Sequence, residues 1–214
     1  ENQDGLHRRE IVYYLVAERG RNSLDDARAL EADKVVATAS YPNWVNRRFG
    51  RPFSSRPVVL SQIVSFEDAA AAVTRQRDVS QEGFLLAVQG SEAKRGQHGE
   101  EEVGYIALEP GLYRLGDWEW EAALPDSKVT SERTSLPTQF GPIEIRVEEE
   151  RSLDAEMYHV GEEVGYLAFG SNIAYLAQLQ SCTGPDTARL ATLGPPDTDV
   201  STAKNFPQGD AFAP

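Results

Sequence analysis

His98-Gly-Glu-Glu101-Glu-Val103-Gly-Tyr105-Ile106-Ala107 is written three times in this chain. It recurs as His7-Arg-Arg-Glu10-Ile-Val12-Tyr-Tyr14-Leu15-Val16 and as His159-Val-Gly-Glu162-Glu-Val164-Gly-Tyr166-Leu167-Ala168. The three histidines of the sequence all stand at the first position of the phrase, a register that scattered residues would not produce, so the chain is built on an internal repeat. Extended, the phrase is apolar on both sides: Val103, Tyr105 and Ala107 face one way, Gly104, Ile106 and Leu108 the other. A strand of that kind is buried on both faces, which makes it the central strand of a unit.

Spacing then divides the chain. Tyr105 follows Tyr14 by 91 residues, whereas Tyr166 follows Tyr105 by 61, so the last unit is 30 residues shorter. That is two or three strands with their turns. The longer unit carries Pro57-Val-Val-Leu60, Ile63-Val-Ser-Phe66, Ala72-Val-Thr-Arg75 and Phe84-Leu-Leu-Ala-Val88, while the shorter has Ile143-Glu-Ile145-Arg-Val147 before its acidic loop. A central hairpin is missing. Glu18-Arg-Gly20 through Leu24 also matches Glu109-Pro-Gly111 through Leu115, which places a turn and a short strand after each phrase. The expected organisation is therefore the terminal strands of an incomplete unit over 1–24, a complete sandwich over 25–115, a shortened unit over 116–170, and a tail or linker over 171–214.

Alternating Ile143, Ile145 and Val147 mark a half-buried strand, and turn residues at 46–52, 78–83, 90–99 and 125–128 come too often for long helices. An all-β antiparallel sandwich follows. The best helix candidate is 172–180, a stretch that also reads as an extension of a strand. Beyond Cys182 the composition turns to Pro, Gly, Thr and Asp with few core residues, as expected of a tail.

Composition narrows the function classes. The formal charge of -13, from 34 acidic and 21 basic residues, opposes phosphate backbones and anionic membranes, so nucleic acid is not an expected partner. No apolar run approaches the roughly 18 residues of a membrane span, and no membrane insertion is expected. The sequence as given shows no signal peptide; an export signal would precede Glu1. One cysteine excludes an internal disulfide, leaving stability to packing or assembly.

Phe53-Ser-Ser-Arg-Pro57-Val-Val-Leu, Val79-Ser-Gln-Glu-Gly83-Phe84 and Val103-Gly-Tyr105-Ile-Ala107 together resemble the H-type lectin domain over about residues 28 to 112. The resemblance implies a six-stranded antiparallel sandwich, generally trimeric, in a family that binds N-acetylgalactosamine and related sugars. The phrase is also similar to modules repeated in large secreted or surface bacterial proteins. The family's sugar-binding arginine aligns with Ala71 and its Trp-His pair with Ser91-Glu92, so the fold carries over while the sugar specificity does not.

Candidate chemistry rests on three sets. His7, His98 and His159 with Glu10, Glu101 and Glu162 are of metal-ligating type, and the acidic runs offer oxygens for a divalent cation such as calcium. Positions i and i+3 of a strand point to opposite faces, however, so one extended copy does not chelate, and the competing expectation is local hydrogen bonding at the acidic loop. Trp118 and Trp120 alternate on one strand face and Trp44 sits in a loop, a pattern suited either to stacking on a sugar ring or to packing in the core. No Gly-x-Ser-x-Gly, phosphate loop or Cys/His zinc pattern is present, and no required cofactor is expected. The expectation is a non-enzymatic extracellular or cell-surface module, adhesive or structural, whose open β edges and terminal segments contact copies of itself. The alternative is a carbohydrate-binding protein with glycans as partners at a site other than the family's.

Overall fold

A computed structural model describes residues 14–24, 28–37, 42–91, 98–115, 118–149, 161–170, 173–176 and 188–192. Among them there are strands and no helix, and every strand pairing is antiparallel. The all-β expectation holds.

The first unit runs through β1 (Gly20–Ser23), β2 (Ala29–Ala37), β3 (Val45–Arg48), β4 (Val58–Ile63), β5 (Ala72–Arg77), β6 (Gly83–Gly90) and β7 (Glu101–Leu108). Its sheets are ordered β1-β2-β7-β4 and β3-β6-β5. Between them lies a core in which Phe49, Phe53, Phe84, Val59 and Leu86 meet Val103, Tyr105 and Ala107, one face of the repeated phrase. The aromatic contacts are close: Phe49 meets Phe53 edge-on at 4.8 Å and Phe84 meets Tyr105 edge-on at 5.2 Å, geometries that suit ring quadrupoles.

The second unit comprises β8 (Gly111–Leu115), β9 (Trp118–Ala123), β10 (Lys128–Val129), β11 (Thr134–Leu136), β12 (Ile143–Glu149), β13 (Glu162–Glu163) and β14 (Tyr166–Phe169), followed by β15 (Ile173–Leu176) and β16 (Ala188–Thr192). One sheet is ordered β15-β14-β9-β8 and the other β11-β12-β16, with β10 and β13 as a short separate pair. Val129, Leu136, Ile145, Val147, Val164, Tyr166 and Ala168 form the core between them.

The two sandwiches stand back to back. Leu30, Ala32, Val58 and Leu108 from the first unit pack on Tyr113, Ala122 and Leu167 from the second, with Ile106, Trp120 and Phe169 at the margin of the cluster. Four sheets are therefore stacked, and the two inner ones are covered on both faces. This is why the phrase is apolar on both sides: in β7 the odd positions enter one core and Ile106 and Leu108 the other. In β14, Tyr166 and Ala168 face one core, Leu167 and Phe169 the next. Gly165 allows the close approach, since a Cβ there would stand 3.2 Å from Val58 Cγ1 and 3.0 Å from Leu124 Cδ2.

Equivalent strands hold equivalent places. β8, β9 and β14 correspond to β1, β2 and β7, and the opening residues of β1 and β8, Gly20 and Gly111, both have positive φ, +117° and +155°. Side chains rarely adopt such values, which accounts for glycine at both turns. β11 and β12 correspond to β3 and β6. Nothing between Leu136 and Ile143 matches β4 and β5, in agreement with the absence of a hairpin from the 61-residue repeat.

The vacated places are filled from further along the chain. β15 pairs with β14 as β4 pairs with β7, and β16 pairs with β12 as β5 pairs with β6. The outer register is the same: Ala72↔Gly90, Thr74↔Val88 and Gln76↔Leu86 in the first unit become Ala188↔Glu149, Leu190↔Val147 and Thr192↔Ile145 in the second. Composition predicts a tail over 171–214 and offers a helix at 172–180; the structure instead has strands at Ile173–Leu176 and Ala188–Thr192. The reason is that edge strands are held by backbone pairing, for which a partner with an unfilled ladder matters more than apolar content.

Candidate functional site

The histidine phrase of the first unit forms a carboxylate clamp. His98 precedes β7 in non-extended backbone, and this loop conformation, not available to a strand, brings it onto the carboxylate three residues later: His98 Nε2 lies 3.1 Å from Glu101 Oε1. Glu101 is buried and accepts three further donors across the sheet edge. Ser65 Oγ donates to Oε2, the Asp68 amide donates to Oε1 at 2.9 Å, and the Glu67 amide is shared between the two oxygens at 3.1 and 3.2 Å. The Ser65 hydroxyl and the two amides, with His98, hold the carboxyl down at a pKa of about 2 against the opposing effect of burial. Asp68 in turn accepts the Gly99 amide at 3.0 Å and stands 3.8 Å from His98 Nδ1. The clamp ties the loop after β4 to the start of β7.

Other buried acids do similar work. Glu109 accepts the Ser54 amide and hydroxyl, both at 2.6 Å, and these bonds outweigh its burial and lower its pKa. Glu31 accepts the Gly50 amide at 2.9 Å and the Tyr105 hydroxyl at 2.9 Å. Burial drives the Tyr105 pKa upward, while Arg47, whose Nε donates to the same hydroxyl at 2.9 Å, opposes it. The exposed acids pair with cations: Glu102 with Lys34 at 2.7 Å, Glu163 with Arg56 at 2.9 Å.

Glu162, the repeat-mate of Glu101, sits differently. It is 1% exposed, at the seam of the two units, with Arg75 Nη2 of β5 at 3.8 Å from its Oε1. Burial lifts its pKa to about 7, and Arg75 offsets that only in part. Arg75 is itself 1% exposed, so this is an ion pair inside the molecule, joining the second unit to the outer sheet of the first.

The sequence-derived residues are thus partly brought together. His98 and Glu101 meet; His7, Glu10 and His159 lie outside the described residues, as does Cys182. Among the described residues no group of three His, Cys, Asp or Glu has the arrangement of a metal site. Trp120 stacks on Tyr113 at 4.3 Å and 15° and on Phe169 at 5.9 Å and 20°, within the inter-unit packing. Trp44 is half-buried under the Arg77 guanidinium, 4.4 Å from its ring centroid. The indole of Trp118 is outside the described residues, while its backbone pairs with Leu115. Sequence reasoning missed Arg75, Ser65 and Glu31. Ser65 lies in the loop after β4, and Arg75 and Glu31 stand in strands that carry other charged residues, so no local pattern singles them out.

One surface contrast stands out. Tyr14, Leu15 and Val16 belong to the first copy of the phrase, and Tyr14 is 84% exposed where Tyr105 is 3% and Tyr166 2%. A shallow groove of about 560 Å³ runs beside β8, lined by Leu112, Ala122, Leu124, Glu121 and Gln139.

No protein family description and no solved structure matches the chain. Among curated proteins it is similar to halomucin of Haloquadratum walsbyi, at 27% identity over 199 residues. The similarity takes in 79% of this chain and 2% of halomucin, so the chain spans a small fraction of that protein's length.

Proposed function

We propose that this chain is a non-enzymatic structural or adhesive module of an extracellular, cell-surface protein, built of H-type-lectin-like sandwich units and assembling with further copies of itself. The observation that carries the reading is Tyr14. The same repeat position is a core residue in the second and third copies of the phrase and stands open in the first, with Val16 beside it 79% exposed. Such an apolar surface marks a contact site, and what fits it is the facing sheet of a unit of this repeat supplied by another copy, since Tyr105 and Tyr166 are each buried by the facing sheet of their own sandwich.

Likeness to a protein named as a mucin supports the extracellular setting. The 3+3 arrangement of β2 to β7 supports the lectin-like fold. The engagement of Glu101, Glu109 and Glu31 in loop clamps supports a structural rather than catalytic or calcium-binding role. A net charge of -13 disfavours nucleic acid. Glycan binding stands as the second reading, and Trp44, outside the inter-unit packing, is its best-placed aromatic.

Light scattering at micromolar concentration tests the assembly reading. Self-association that falls on Tyr14→Glu with Val16→Glu is the expected result; a monodisperse monomer at all concentrations overturns it. A glycan array read alongside, with and without Trp44→Ala, decides the second reading.

A further inference from the structure

We infer that one end of the β1-β2-β7-β4 sheet is a docking surface for a second copy of the chain, which seats the same patch on it about a two-fold axis, a contact that rests on the assembly reading and is separate from Tyr14.

The patch continues the seam between the two units. On the face of the sheet that meets the second unit, Leu30 and Ala32 of β2, Val58 and Leu60 of β4, and Ile106 and Leu108 of β7 are packed. Side chains alternate along a strand, so the same face runs on through Lys34 and Val36, through Gln62 and Val64, and through Gly104 and Glu102. The cover given by the second unit ends before them: Val36 is 48% exposed and Val64 50%. Phe66, two residues further, is 81% exposed, while Ser65 between them turns the other way onto Glu101. Val36 and Val64 flank Glu102, since Val36 is its partner in β2 and the Val64 amide donates to its carbonyl at 2.8 Å. Val36, Val64 and Phe66 thus lie together at the open end of a face whose other end is an interface.

Gly104 shows how such a face closes on another. It holds the place in the phrase that Gly165 holds in the next copy. Gly165 is buried in the seam, where a Cβ would stand 3.2 Å from Val58 Cγ1 of the other unit. Gly104 is only half-buried, and a Cβ there would meet Val64 Cγ1 of its own sheet at 3.1 Å. The position at which one unit closes on another in the seam is therefore left open in the first unit.

Two features name the occupant. The patch is continuous with an interface between units of this repeat, so a further unit matches its shape and its apolar character. The charges on the sheet face, Lys34 and Glu102, are opposite in sign and 2.7 Å apart. In a two-fold contact each residue meets its counterpart's neighbour, which sets Lys34 of one copy beside Glu102 of the other. In a chain of net charge -13, which resists contact with itself, a charge-balanced apolar patch is a place where two copies can approach.

The test uses the full chain, followed by sedimentation velocity across the micromolar range. In a background of Tyr14→Glu with Val16→Glu, a dimer is expected to remain as the largest species, its fraction rising with concentration. Adding Val64→Glu and Phe66→Glu to that background is expected to weaken dimerisation by about tenfold or more. Adding Leu112→Glu instead, at an exposed apolar position on β8, should leave the dimer unchanged. If thermal melting shows that the glutamate pair prevents folding, Phe66→Ala should still weaken the dimer several-fold. A monomeric background variant beside an unaltered chain that self-associates overturns this contact and leaves the assembly reading standing. A dimer that the changes at Val64 and Phe66 do not weaken, or that Leu112→Glu weakens equally, overturns it as well. Species larger than a dimer in the background variant overturn the two-fold geometry, and an unaltered chain that stays monomeric at every concentration overturns both readings.

Discussion

Glu101 and Glu162 stand 61 residues apart at the same position of the repeat, and their surroundings give them opposite chemistry. Four donors gather around Glu101 and its pKa drops to about 2; burial dominates at Glu162 and its pKa rises to about 7. Three of the four donors of Glu101 come from the loop that follows β4, residues 65–68, on the stretch of chain between β4 and β5; His98 is the fourth. The second unit has no such stretch between β11 and β12. Its carboxylate faces Arg75 of the neighbouring unit instead. Moving a hairpin from the middle of a unit to its end thus changes what a repeated residue does, from closing a loop to joining two units.

The comparison can be broken most sharply at the cores. Phe84→Ala, in the core of the first unit alone, should cost about 3–5 kcal/mol, and Leu167→Ala, in the cluster shared by both units, about 2–5 kcal/mol. Calorimetry separates them: the first substitution should bring forward the melting of one unit, the second should lower both together. A single unchanged transition for Leu167→Ala would mean that the back-to-back packing carries little stability.

Gly83 comes next. A Cβ there would lie 2.2 Å from the Arg47 carbonyl oxygen, so Gly83→Ala is expected to cost about 1–3 kcal/mol through backbone displacement. At the equivalent register of the second unit stands Pro142, which is exposed. Pro142→Ala should leave chemical denaturation almost unchanged, and similar losses at both positions would break the equivalence of β6 and β12.

The carboxylates predict opposite pH dependence. Glu162 binds its proton more tightly folded than unfolded, so its contribution is full below about pH 4.5 and is lost as pH rises through about 7, by an amount on the order of 1–3 kcal/mol. Glu101 has the reverse sign: its contribution is present above about 4.5 and is lost as pH falls toward 2. Glu162→Gln should flatten the stability profile between pH 4.5 and 7, and Glu101→Gln should flatten it below 4.5. The same slope in both variants would show that the two sites do not differ. Smallest of all, Lys34→Ala removes an exposed pair with Glu102 and should change stability by under about 0.5 kcal/mol in urea titrations.

Much of the fold was legible. The doubly apolar phrase marked β7 and β14 as strands buried on both faces, because alternation in a strand reports each face separately. The 30-residue difference between repeats marked the absent β4–β5 pair. The composition of residues 173–192 did not mark the strands that replace it, because edge strands are held by backbone pairing and not by apolar content. At the candidate site, strand geometry argued against chelation by one extended copy and left local hydrogen bonding at the acidic loop as the competing expectation; the loop before β7 brings His98 to 3.1 Å from Glu101. Trp120 was open to either reading, and its stacking partners Tyr113 and Phe169 lie 7 and 49 residues away in sequence, a proximity that no local pattern contains.

By itself, then, the sequence determined the repeat, the all-β class and the central place of the histidine phrase, since these follow from periodicity along the chain. Tertiary structure decided that two units stand back to back, that a displaced segment fills the vacant edges, and that Glu162 meets Arg75 while Glu101 meets a loop. Those outcomes depend on which surfaces and edges are brought within a few ångströms of one another, and both burial and hydrogen bonding act over that distance, however far apart the residues lie in the chain.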